Sequence, residues 1–186
     1  MEGHKKGQAI MEYLITYGLA LFVILIVLAI LVAVVLPSLK APDSCQFTQP
    51  GFSCNQKPHV LVADAGGKVR VLFQLDNIQG KAVKILSIIC SSSPPGNIQK
   101  SQFKENIPSA PLVLASGASA SVGDHSNSDI KYQVNCKDAD GTTDVILSSN
   151  SNFKGTIGIK YTFADDVPGA PERIAVATLA GTVQAE

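Results

Sequence analysis

The chain has 186 residues, 46% apolar and only 16% charged, with 15 basic side chains balanced by 15 acidic ones. That length allows one folded domain plus extra segments. The lack of a basic surplus, and of any Lys/Arg patch interleaved with aromatics, argues against a nucleic-acid partner.

The first element is an apolar run, Leu14 to Leu36, 23 residues without a charge. Roughly 20 such residues span a bilayer core as a helix. The run is apolar on all sides, so every face must be buried in lipid or against other helices. Pro37 is expected to end it. His4, Lys5 and Lys6 precede it, which by the positive-inside bias keeps this end in the cytoplasm and sends the chain after Leu36 outside. A secretory signal has a shorter apolar region with a small-residue cleavage site after it, and neither is present. Glu12 sits at the lip of the run, and a carboxylate deep in a membrane costs about 2.5–3.5 kcal/mol on insertion scales. Tyr13 and Tyr17 suit an interfacial aromatic belt. Thr16, Gly18 and Ala20 are small enough to let neighbouring helices approach.

The order Lys5-Lys6-Gly7-Gln8 and then Glu12, within "HKKGQAIMEYLITYG", resembles the class III signal peptide of type IV pilins, and its wording is most similar to the archaeal version. The resemblance covers residues 4 to about 36. It implies that a membrane prepilin peptidase cuts between Gly7 and Gln8, making Glu12 the fifth residue of the mature chain. It also implies filament partners: copies of the same chain in a helical array, an assembly platform and its ATPase, and the membrane before assembly. Residues 1–7 are then a basic leader that is removed. Residues 8–36, including Leu14, Phe22 and Leu36, form the membrane and filament-core helix. Gly7 favours extended backbone open to a protease. The new Gln8 amine is a partner for Glu12, on the same chain (i, i+4) or on a neighbour, and the resemblance favours the neighbour. The plain alternative is that Glu12 reaches the cytoplasmic headgroups.

Residues 37–58, rich in Pro and Gln, read as a neck, and residues 59–186 as an extracellular β head. "KVRVLFQLDN", "IKYQVNC" and "TIGIKYTF" alternate with period two, the mark of half-buried strands, and "KAVKILSIIC" resembles a central strand. His59–Asp64, Pro111–Leu114, Ala118–Val122, Thr143–Leu147 and Arg173–Leu179 are shorter candidates. Eight or nine short strands with turns between them suggest a β-sandwich, so the fold class is α+β: a long apolar helix, then a β-sandwich-like head. Four cysteines on the outer side suggest two disulfides. Their positions favour Cys45–Cys54 and Cys90–Cys136, although three pairings are open.

Little in the head points to chemistry. "DHS" at 124–126 holds a Ser, a His and an Asp, but catalytic triads converge in space and not in sequence. Asp138, Asp140 and Asp144 around Gly141 are weak calcium candidates, since the spacing departs from the known loop; Asp-Gly between alternating runs is a hairpin signal. No cofactor is implied, and nothing favours an enzyme. The expected role is a surface-filament subunit mediating adhesion. The alternatives are an uncleaved, membrane-anchored β domain that binds a ligand or envelope component, and an archaellin-like motility subunit.

Overall fold

The computed structural model describes residues 3–38, 42–54, 59–103, 111–123 and 134–186. The chain divides into two units, residues 1–40 and 41–186. The first is a single helix, α1 (Gly3–Ser38). No Gly or Pro interrupts residues 19–36, so nothing local breaks the backbone ladder. The helix ends one residue past Pro37, which lacks a donor for the next turn. Within it Met11–Val35, 25 residues, is apolar and exposed on every face. At 1.5 Å per residue this is about 37 Å, enough for a hydrocarbon core of about 30 Å. Gly7, expected in extended backbone, lies inside α1 instead. One glycine costs a helix only about 1 kcal/mol relative to alanine, and the lysines, Gln8 and Ala9 around it are good helix formers.

The second unit is the β head. Its strands are β1 (Ser44–Phe47), β2 (Phe52–Ser53), β3 (Val60–Ala63), β4 (Val69–Asn77), β5 (Val83–Ser91), β6 (Leu112–Leu114), β7 (Ser119–Val122), β8 (Val134–Lys137), β9 (Asn152–Phe163) and β10 (Arg173–Ala185). Six of them close a ring in the order β3-β4-β8-β5-β9-β10 and back to β3. Neighbours in the ring are antiparallel except β5 with β8 and β10 with β3.

Three long strands change partner along their length. β4 pairs with β3 and β8 through its first half, then with β7 and β2. β5 pairs with β6 at its start and β8 at its end, and β10 with β1 and then β3. The head is therefore a closed barrel at one end. At the other it opens into two facing sheets, β1-β10-β9-β5-β6 and β2-β4-β7. The all-β head expected from alternation is present: sandwich-like at the open end, with a barrel closure that strand counting does not foresee. The chain joins the head beside β10, where the backbone N–H of Thr182 donates to Asp43 Oδ1 at 3.1 Å and Ser44 lies opposite Ala180.

Alternation places Val69, Val71, Phe73 and Leu75 of β4, and Ile157, Ile159 and Tyr161 of β9, in one buried core. Across the sheets, the Phe52 ring meets Tyr161 edge-on, with centroids 4.9 Å apart. Burying one such side chain contributes about 1.5–3 kcal/mol, so these rows hold the head together.

Several segments differ from expectation. β1 and β2 lie within the supposed neck, 37–58, yet pair with β10 and β4 and belong to the head. They are too short to show periodicity, and Gly51 turns the chain between them at a φ of 130°. Thr143–Leu147 forms only the isolated bridges Lys137↔Asp144 and Lys68↔Ile146. β10 continues six residues beyond Leu179, to Ala185. Residues 130–133 of "IKYQVNC" lie outside the described residues, and β8 begins at Val134.

Candidate functional site

The backbone of Lys5, Lys6, Gly7 and Gln8 lies in α1, so Glu12 stands one helical turn after Gln8. Glu12, Tyr13, Thr16 and Tyr17 share one side of that helix, because residues three and four apart are neighbours on its surface. Thr16 Oγ1 donates to the carbonyls of Glu12 (2.8 Å) and Tyr13 (3.0 Å). The hydroxyl is thus satisfied within the helix and adds little cost in an apolar surrounding. Tyr13 and Tyr17 stack with centroids 6.1 Å apart. The Glu12 carboxylate is the charged group on this side, and among the described side chains none pairs with it. Leu14 and Phe22 are exposed further along, and Leu36 belongs to the same helix.

Both disulfides are formed. Cys45–Cys54 joins β1, on one sheet, to the end of β2, on the other. Cys90–Cys136 joins β5 to β8 within the ring, with Cα atoms 4.3 Å apart. Together with the exposed apolar helix, they describe a chain suited to membrane anchoring, whose head belongs in an oxidising compartment.

The aspartates around Gly141 are held apart by separate partners. Asp138 Oδ1 accepts from the Ser92 hydroxyl at 2.7 Å and the Ala139 N–H at 2.8 Å. Asp140 accepts from the Thr143 hydroxyl and the N–H groups of Thr142 and Thr143. Asp144 pairs with Lys137 and with Lys68. The three carboxylates do not converge on a common point, and no group of metal-ligating side chains forms among the described residues. The arrangement is a hydrogen-bonded turn in which Gly141 takes a φ of 70°, a conformation that favours glycine. His59 bonds the Ala180 carbonyl oxygen at 2.9 Å. Asp124, His125 and Ser126 lie outside the described residues.

These bonds set the acid response of the head. The Thr143 hydroxyl and neighbouring N–H groups hold Asp140 far below the usual carboxylate range. Ser92 lowers Asp138, Lys137 and then Lys68 lower Asp144, Lys81 lowers Asp165, and Arg173 lowers Asp166. Each folded pKa lies below the unfolded value of about 3.9, so the associated stability is present above that value and is lost as pH falls through the folded values. The thermal midpoint of the head is expected to stay flat from neutral pH to about 5 and to drop below about 4. A midpoint that falls steadily between pH 7 and pH 5 in a calorimetric series contradicts this.

No family model, curated protein or solved structure matches this chain.

Proposed function

We propose that the chain is the precursor of a structural subunit of a type IV pilus-like surface filament. The carrying observation is the ordered set Lys5-Lys6-Gly7-Gln8 and Glu12 at the start of a helix long and apolar enough to cross a membrane. In this reading a prepilin peptidase cuts after Gly7 on the cytoplasmic side. The cut removes Lys5 and Lys6 and creates an amine on Gln8. Released from its basic retention signal, the helix leaves the bilayer for a bundle of identical helices, driven from below by the assembly platform and its ATPase. Water is not an alternative destination: at roughly 25 cal/mol per Å², exposing the 23-residue uncharged run costs tens of kcal/mol. The β head then forms the outer surface of the filament and mediates adhesion.

Mass spectrometry of the protein from its own cells tests the cut. A chain beginning at Gln8 is expected, and Gly7→Leu should leave full-length precursor in the membrane. A native chain that retains Lys5 and Lys6 sinks the filament reading. That outcome favours an uncleaved, membrane-anchored β domain, for which the unbroken course of α1 across residues 7 and 8 speaks.

A further inference from the structure

β5 and β8 present their outer faces to a cavity of about 290 Å³. Period two puts Ser87, Ile89 and Ser91 of β5 on that face, with Asn135 and Lys137 of β8 beside them. The roof comes from elsewhere in the chain. After β5 the backbone crosses the sheet and buries Phe103 over Gly158 of β9; a Cβ at Gly158 would lie 2.9 Å from the Phe103 ring. This anchor holds the adjacent Gln102 over the cavity, against Gly141.

Some of the polar groups facing the space are uncommitted. Ser87 is only 6% exposed, and among the described residues its hydroxyl forms no hydrogen bond. Gln102 uses its Oε1 to accept from the Gln99 N–H at 3.0 Å, leaving the amide nitrogen. Ser91 is occupied, accepting from the Ser93 N–H at 3.1 Å. Lys137, the one charged residue among the described lining residues, is paired with Asp144. Among these residues a charged ligand would find no free counter-charge to offset its desolvation. A purely apolar one would strand the hydroxyl and amides. Hydroxyls and carboxamides both donate and accept, which matches a ligand bearing several hydroxyls, while Ile89 offers an apolar surface to a C–H face. The volume lies at the lower end for small-molecule sites, which fits one ring.

We propose that this cavity binds a single neutral sugar ring. The cavity lies wholly within the head, so such binding stands whether or not the chain builds filaments. It is tested on the full chain in dodecylphosphocholine micelles by saturation-transfer NMR with glucose, galactose, mannose and N-acetylglucosamine, and with methyl phosphate and acetate as ionic controls. At least one sugar should bind, the two anions should not, and Ser87→Val should weaken that binding by about tenfold or more. Asn135→Ala, on an exposed side chain, serves if the buried substitution unfolds the head, and should weaken binding in the same direction. No binding by any of the four sugars, preferential binding of an anion, or sugar binding unchanged in the folded variants overturns the proposal.

Discussion

Replacing Cys90 and Cys136 together with alanine is expected to lower the unfolding free energy of the head by about 4 kcal/mol, from the closure entropy of a loop spanning 46 positions. The location makes the effect specific. Among the described residues β8 has four residues and touches each ring neighbour through two paired positions: Cys90 and Ser91 on β5, Arg70 and Val71 on β4. Parallel pairing is also slightly less stable per residue than antiparallel. Without the covalent link, β8 should be the first strand to leave, opening the ring between β4 and β5 while β9 and β10 stay paired over ten positions. Denaturant unfolding gives the energy. Amide exchange gives the place, with Val71 and Val134 losing protection ahead of Ile159 and Ala177. A loss below about 1 kcal/mol, or uniform loss of protection, would show that β8 is held by packing alone.

Glu12→Ala is expected to reduce filament yield by about ten- to a hundredfold while leaving the cut after Gly7 intact. The effect rests on the proposed function. In the filament a pairing with the Gln8 amine of a neighbour, of the order of 1.5–3 kcal/mol for a charged hydrogen bond, is lost. The loss favours the membrane-held subunit, and each 1.4 kcal/mol is a factor of ten. Sheared filaments quantified beside N-terminal masses give the readout. Normal yield from Glu12→Ala cells would falsify the pairing role.

Much of the head was legible because its long strands have one buried face. Val69, Val71, Phe73 and Leu75 announce β4 without help, and Cys90 and Cys136 end strands on inward faces, which is why their pairing could be favoured. What stayed hidden depends on contacts distant in sequence. Four residues of β8 cannot reveal that they run parallel to β5 and complete a ring. The tail of β10, "AGTVQA", looks like a polar end, yet Gly181 is needed there because a Cβ would come within 3.0 Å of both Asp43 and His59. Thr143–Leu147 alternates like a strand, but the Asp140 turn directs it into isolated bridges. The proposed processing motif is purely local and fully visible, whereas the cavity is not. Its sequence trace is Ser87 between Leu86 and Ile88 of β5, and its roof depends on Phe103 finding Gly158.

The position of Cys45 has a mechanical consequence. A chain pulled from its helical end is loaded at Ser44, the first residue of β1, where it pairs with Ala180. One residue later the tension reaches a covalent bond to Cys54. Peeling β1 away from β10 therefore stops almost as soon as it starts, and residues 46–53 are shielded from the load. The force passes instead to the chain after Cys54, which leads into β3 and its parallel seam with the end of β10. Parallel strands drawn along their own axis must break their hydrogen bonds together and not one at a time. The Cys45–Cys54 bridge thus keeps a load on the helical end from unzipping β1.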